Sequence, residues 1–443
     1  MLLTFLRHYL GACWRFTNLT GDALTKFQDT LVRRQVAFAS THSPFYRQHW
    51  QDSDLSDWQA LPTVDKRLMM ANFTAFNTRG IDGDAAMAMA LAAETSRDFR
   101  PTVPGTDLTV GLSTGTSGHR GMFLVSPQEQ AAWAGTILAR VLPEPLWRRR
   151  GWRVTLFHRA TSNLYERVRS RRVQLHYHDL MQPLPEAVAA LNAEQPHILL
   201  GPPTLLAKLA DERRAGRLRI QPERVFSVAE VLEPQDAEQI ASAFELAALD
   251  QIYQCTEGLL AVSCPHHRLH IMEDLVVIQT EALGEGRAAP LVTDLWRTTQ
   301  PIIRYRLGDV LTLAPPGRCA CGSSFQVIER IEGRQDDLCF FLKVSENKEL
   351  VPFYPDTVRR AVLLASGQIL DYAVRQSQPG EACVFLELAP EAKRALVEDA
   401  VRASFTRILA SYSCRPATLT FEAQLPPRVL GAKRRRVQNE GKR

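Results

Sequence analysis

The order of apolar and polar positions divides the chain into two differently patterned parts. Between residues 23 and 50, Leu24, Phe27, Leu31, Val36 and Phe38 recur at helical spacing, and His42-Ser43-Pro44 ends the run in a turn. Leu61-Pro62-Thr63-Val64-Asp65-Lys66 reads as a loop feeding a Met-rich helix. Short apolar runs at Val154–His158, His197–Leu200, Val225–Ala229 and Gln251–Tyr253 read as strands, and helical stretches at Pro185–Asn192, Thr204–Arg214 and Gln235–Phe244 lie among them. Such alternation predicts an α/β fold, a sheet with helices on both faces. From Leu291 the pattern turns β-rich. The polar run Gly333-Arg334-Gln335-Asp336-Asp337 separates two apolar blocks and reads as a domain joint. Beyond it, signals at Leu338–Val344, Thr357–Leu364, Tyr372–Gln376, Cys383–Leu388, Glu391–Leu409 and Ala417–Phe421 predict a compact domain of about 100 residues. The expected organisation is a large N-terminal domain of β-sheets flanked by helices, residues 1–334, and a small mobile C-terminal α+β domain, residues 335–443.

Composition narrows the class. A chain of 443 residues is too long for one small core, and 45% hydrophobic with 23% charged residues is globular rather than disordered. The net charge of +5 gathers in arginine-rich patches at Arg148–Arg150, Arg167–Arg172 and Lys433–Arg436. No nucleic-acid-binding motif accompanies them, so they read as solvated faces or as an attraction for anions such as ATP. Eight cysteines spread over this length do not make a disulfide scaffold, and the expected compartment is the reducing cytoplasm. The apolar start, Met1–Leu10, is broken by Arg7 and His8 before it would span a bilayer, so no transmembrane segment is expected; packing of an N-terminal helix is favoured over a peripheral membrane contact through Leu2–Trp14.

Three segments carry candidate chemistry. Leu112-Ser113-Thr114-Gly115-Thr116-Ser117-Gly118 follows a strand-like run. Its small residues let the backbone approach an anion, and its amides and hydroxyls can cradle phosphate oxygens, although it lacks the Gly-Lys-Ser/Thr of a Walker loop. At the end of an apolar strand, Tyr253-Gln254-Cys255-Thr256-Glu257-Gly258 sets a hydroxyl beside a carboxylate. That pair suits a phosphate and Mg²⁺, a hard cation that takes oxygen ligands. In Arg304-Tyr305-Arg306-Leu307-Gly308-Asp309, an Asp after a glycine turn can accept from both ribose hydroxyls. Cysteine and histidine form a fourth constellation. Cys319-Ala320-Cys321-Gly322 is a tight turn with two soft ligands, and Cys264 precedes His266, His267 and His270. Two ligand pairs from separate loops can hold Zn²⁺, with free buried cysteines as the alternative reading.

The three segments, in this order and followed by Gly333-Arg334-Gln335-Asp336-Asp337, resemble the adenylate-forming superfamily of acyl-CoA synthetases. Within it the chain is most similar to the phenylacetate–CoA ligase branch, its deazaflavin-coenzyme-adenylating relatives and a clade of adenylate-forming enzymes near them. The similarity spans nearly the whole chain and includes His42-Ser43-Pro44-Phe45-Tyr46, Gly201-Pro202-Pro203, Val228-Ala229-Glu230, Leu269-His270-Ile271-Met272-Glu273-Asp274 and Pro301-Ile302-Ile303-Arg304-Tyr305-Arg306. It implies ATP-dependent conversion of an aryl or acyl carboxylate to an acyl-adenylate, release of pyrophosphate, then transfer to CoA or another thiol. It implies that Ser113, Thr114, Gly115, Thr116, Ser117 and Gly118 cover the ATP phosphates and that Ala229 and Glu230 line the nucleotide and acyl pocket. Tyr253 would stack near adenine, Thr256 meet the α-phosphate, Glu257 help hold Mg²⁺, and Asp309 bind the ribose. Arg334 would contact ribose or phosphate, and Asp336 would be the hinge. Lys433, in a Pro…Gly-Lys-like ending with Ala432 interposed, would be the cation between the two reacting anions. By the same resemblance a structural zinc falls to Cys264, His270, Cys319 and Cys321, with His266 the alternative to His270.

Two departures stand out. Where the family's phosphate loop continues Gly-Lys-Pro, this chain has Gly118-His119-Arg120-Gly121, so Arg120 is left to supply the cation. After the hinge, Phe341-Leu342-Lys343-Val344-Ser345-Glu346-Asn347-Lys348 stands in place of an Arg-Gly turn. That bears on CoA, and leaves open an enzyme that stops at the adenylate or loads a carrier protein, or a nucleotide-binding protein without ligase activity.

Overall fold

Strands at Trp152–His158, Val173–Asp179, Ile198–Gly201, Arg224–Val228 and Asp250–Cys255 run parallel, with Val173–Asp179 at one edge beside Trp152–His158 and the rest following in chain order. Parallel neighbours need crossovers, and the helices Leu184–Glu194, Pro203–Arg214 and Pro234–Ala243 supply three of them. Each has proline in its first turn, where a missing N–H costs nothing. These helices bury Leu191, Leu206, Leu209 and Ile240 against one face of the sheet, with Phe157, Leu199 and Val225. The other face, with Trp152, Val154, Leu200 and Phe226, packs against Tyr9, Ala134, Ile137 and Leu138 of the helices Leu2–Asn18 and Pro127–Val141. Antiparallel strands Gly258–Ser263 and Leu269–Ile271 extend the sheet. The α/β fold with helices on both faces is therefore the one the apolar pattern predicts.

The computed structural model describes residues 1–113, 120–149, 151–158, 172–345, 349–427 and 434–441. Its chain divides into two units, residues 1–307 with 312–330, and residues 308–311 with 331–443. In the second unit, strand Ile369–Gln378 pairs antiparallel with Glu381–Leu388 and parallel with Val437–Asn439, while Thr418–Glu422 runs parallel to Glu381–Leu388. Helices Pro355–Leu363 and Arg394–Ser411 cover this sheet through Val358, Val362, Val397, Val401 and Phe405. This is a small α+β unit.

Some boundaries differ from the sequence reading. The helical run ends at the expected His42-Ser43-Pro44 turn, and a second helix not expected from the sequence follows at once: Gly21–His42 is succeeded by Pro44–His49, which Ser43 caps by accepting from the Tyr46 amide. The strand expected to end at Ala229 ends at Val228. The Arg434–Arg436 run is not a solvated tail: Arg434 and Arg436 both pair with Asp371, and Arg435 forks onto Asp337.

Candidate functional site

In open parallel sheets ligands bind outside the carboxyl ends of the strands, and two adjacent strands deliver predicted residues there. Val228 pairs with Ile252, so the loops that leave these strands start side by side. The first loop turns at Ala229, where φ is +69° and the Glu230 amide donates to the Val228 carbonyl at 2.9 Å. That is a γ-turn with positive φ, a strained geometry for a residue with a Cβ and one that gathers at functional sites. Glu230 reaches back to accept weakly from the Thr204 amide at 3.4 Å. The second loop carries Thr256 and Glu257. The Thr256 hydroxyl donates to Glu257 Oε2 at 2.8 Å, and Glu257 is buried. Tyr253 lies half-buried two residues before the end of its strand.

Arg297 fixes this second loop. It donates to the Thr256 carbonyl at 2.8 Å, to the Gln300 side chain at 2.9 Å and to the Leu124 carbonyl at 3.2 Å. Leu124 belongs to the hairpin Thr109–Leu112/Met122–Val125 that carries the small-residue loop, so one buried guanidinium ties the two segments together. Asp294 accepts from the amides of Trp296 and Arg297 and holds the turn that presents Arg297. Burial and then the adjacent Glu257 charge push the Tyr305 phenol far above its ordinary range, so Tyr305 offers a proton beside the carboxylate.

At the neck of the small-residue loop, Ser113 and Gly121 exchange hydrogen bonds: Ser113 N–H to the Gly121 carbonyl and Gly121 N–H to Ser113 Oγ, both 2.7 Å. The Lys66 ammonium donates to the same Oγ at 3.3 Å. Arg120, expected to supply the loop's cation, pairs with Glu94 at 2.8 Å instead. Lys66, Arg297 and Tyr305 were not singled out from sequence. Lys66 did leave a signal, since it opens a helix capped by Asp65, where the helix dipole disfavours a cation. Thr114, Gly115, Thr116, Ser117, Gly118 and Lys433 lie outside the described residues.

In the second unit Gly308 takes φ +76°, and a Cβ there would lie 3.5 Å from an Arg334 guanidinium nitrogen. The Gln335 amide donates to the Gly308 carbonyl at 2.8 Å, and Arg334 lies 4.0 Å from Asp336. The glycine turn thus brings Asp309 close to Arg334 and Asp336.

The four predicted soft ligands converge in the first unit. The ligand atoms of Cys264, His270, Cys319 and Cys321 lie within 4.8 Å of one another. Cys264 Sγ and Cys319 Sγ are 4.0 Å apart, and Cys321 Sγ lies 3.5 Å from His270 Nε2. Tetrahedral zinc, with bonds of about 2.3 Å to sulfur and 2.0 Å to nitrogen, needs roughly 3.8 Å and 3.5 Å for these edges. His270 Nδ1 lies 2.7 Å from the Phe325 carbonyl, an acceptor, so Nδ1 carries the proton and Nε2 points its lone pair at the thiols. The set fits zinc and leaves no ligand position for water. His266 is exposed and contributes its backbone instead, an N–H to Cys264 Sγ at 3.4 Å.

No family model and no curated protein matches the chain. Solved structures do. A 2-hydroxyisobutyryl-CoA ligase in the postadenylation state, with its acyl-AMP bound, aligns over 96% of this chain and 91% of its own at 18% identity and a TM-score of 0.69. The same ligase in an open conformation with acyl-AMP and CoA aligns over 96% and 93% at 17% identity and 0.61. An acyl acid amido synthetase aligns over 91% and 85% at 13% identity and 0.58. Over nearly its full length, the chain has the fold of the adenylate-forming acyl-CoA ligases and acyl acid amido synthetases.

Proposed function

We propose that this protein is an ATP-dependent, adenylate-forming ligase that joins a carboxylic acid to AMP with release of pyrophosphate and passes the acyl group to CoA or another thiol. The observation that carries the reading is the Thr256–Glu257 pair at the carboxyl edge of the parallel sheet, tied through Arg297 to the hairpin of the small-residue loop. Its support from outside the chain is the shared fold, which in the 2-hydroxyisobutyryl ligase holds an acyl-AMP.

The residues divide the work by charge. Ser113 with the Thr114–Gly118 amides and hydroxyls would hold the β- and γ-phosphates, with Lys66 at the loop's neck. Thr256 would meet the α-phosphate, and Glu257 would hold Mg²⁺, which supplies charge neutralisation on the phosphates when bound. Ala229, Glu230 and Tyr253 would form the wall against which adenine and acyl group lie, and Asp309 and Arg334 would take the ribose. Catalysis of this kind is positioning plus electrostatics and needs no covalent enzyme intermediate. In this assignment residues 1–334 form the adenylation domain and residues 335–443 the mobile one, turning about Asp336 and bringing Lys433 between carboxylate and ATP. The zinc at Cys264, His270, Cys319 and Cys321 is structural, and the enzyme works in the cytoplasm.

Carboxylate-dependent exchange of labelled pyrophosphate into ATP tests the reading. Exchange with at least one acid is the expected result, and its absence across a broad panel of aryl and aliphatic acids would overturn it. The acceptor has a second reading, because Lys343 in the segment replacing the Arg-Gly turn is engaged by Glu349 at 2.9 Å. If CoA does not promote AMP release, the acyl group goes to a carrier protein or stays on AMP.

A further inference from the structure

The N-terminal helix Leu2–Asn18 has two apolar faces, and among the described residues only one is covered. His8, Tyr9 and Ala12 are buried, with Phe5 and Phe16 packed partly against the same core. At roughly 100° per residue, Leu2, Leu3, Leu6, Leu10 and Trp14 fall in an arc of about 120° on the other side. They are 71%, 80%, 41%, 51% and 59% exposed. Trp147 extends this surface: it is 58% exposed and meets Tyr9 edge-on at 6.1 Å. Six large apolar side chains in one patch exceed the scattered exposed leucines of an ordinary surface.

Charge selects the occupant. Residues 1–21 contain no acid, and exposed Arg7 sits beside the apolar arc. Arg148, next to Trp147, is exposed, while Arg149 is held by Glu223. At the helix's far end Thr17 lies against Gly322, whose carbonyl accepts from Arg318, another exposed arginine. The acid in the Trp147 loop is half-buried Glu144. An apolar stripe with tryptophan at its edges and arginine around it suits an interface of acyl chains and anionic headgroups. A second copy of this face would set like charges against each other. Among the described residues no helix is long and apolar enough to cross a membrane, so the contact is a surface one.

We propose that this face docks the protein on anionic membrane surfaces, with Leu3, Leu6, Leu10, Trp14 and Trp147 entering the interface and Arg7, Arg148 and Arg318 contacting phosphate headgroups. The inference is independent of the ligase reading, since none of these residues belongs to that site.

Flotation of the full chain with phosphatidylcholine vesicles, with and without about 30% phosphatidylserine, tests it. The protein should float with the anionic vesicles and not with neutral ones, and raised salt should release it. Arg7→Glu, at an exposed position where the fold should stay intact, should weaken binding at least fivefold, the scale of one basic residue at such a surface. Leu3→Glu/Leu6→Glu should abolish binding while leaving the helical circular dichroism unchanged. The proposal is overturned if the wild type stays unbound at every composition, if Arg7→Glu binds as well as wild type, or if light scattering shows a wild-type dimer that Leu3→Glu/Leu6→Glu makes monomeric.

Discussion

The Thr256 hydroxyl donates to the Glu257 carboxylate across 2.8 Å at the point where the strand Asp250–Cys255 ends. Neighbouring residues in a strand face opposite sides, so this contact requires the chain to leave the strand at Thr256. Gly258, at φ +158°, lets it return into the next strand, and a Cβ at this position would lie only 3.3 Å from Asp294 Oδ2. The outcome is a buried carboxylate at the strand's end that accepts from the neighbouring hydroxyl.

Glu257→Gln keeps the shape and the partner while removing the charge. Pyrophosphate exchange under saturating ATP should fall by about 100-fold, the scale seen when one electrostatic contact to a developing charge is lost, and the requirement for Mg²⁺ should shift to higher concentration. Thermal unfolding should change little. Exchange within a factor of three of wild type would remove Glu257 from the proposed magnesium site.

The Cys264, His270, Cys319 and Cys321 cluster predicts one equivalent of zinc in the purified protein, read by atomic emission. Cys319→Ser leaves three donors where structural zinc takes four, so the metal should be lost. Folding free energy stored in the metal goes with it, at least about 3 kcal/mol, seen as an earlier urea midpoint. A metal-free preparation with wild-type stability would refute the site.

Much of this was legible in the chain because the signals were local. The Cys-Ala-Cys turn at 319–321 and the cysteine–histidine run at 264–270 announced donors before any fold was known, and the apolar runs at 154–158, 197–200 and 225–229 announced strands of an α/β sheet. What stayed hidden depends on long-range contact. Arg297 reads as an ordinary charged residue until its three acceptors, Thr256, Gln300 and Leu124, are brought to it. The cation at the loop's neck was sought two residues after Gly118, at Arg120, but Glu94 claims that side chain, and Lys66, distant in sequence, takes the place. Arg434–Arg436 looked like a solvated run because Asp371 and Asp337, their acceptors, lie more than sixty residues away.

His8 links the N-terminal helix to pH. It is 8% exposed, its ring meets Trp296 edge-on at 5.0 Å, and burial, followed by the charges of Arg15 and Arg7, pushes its pKa from 6.5 down to about 4. The folded state therefore holds His8 neutral where the unfolded chain would take up a proton. The unfolded state binds more protons between pH 6.5 and 4, so stability falls as pH drops through that window and levels below it. The whole effect is on the order of 3 kcal/mol. Urea midpoints of His8→Gln measured from pH 7.5 to 4.5 should fall less steeply than those of the wild type; parallel curves would show that His8 does not titrate in this way.

Lys433 and Arg435, two residues apart, should separate function from folding. Arg435 forks onto Asp337, which is only 4% exposed, and its removal leaves a buried carboxylate without its partner. Arg435→Ala should therefore cost about 3–5 kcal/mol, the range for breaking a buried ion pair from one side, measured as a lower unfolding midpoint of the second unit. Lys433 is proposed to stand between two reacting anions, so Lys433→Ala should slow pyrophosphate exchange by about 100-fold with the unfolding midpoint unchanged. The pairs Arg434–Asp371 and Arg435–Asp337 anchor the chain immediately after Lys433, so a slowed Lys433→Ala enzyme with intact stability would point to a missing ammonium rather than a detached tail. Exchange that survives Lys433→Ala would instead assign the cation's role to another residue.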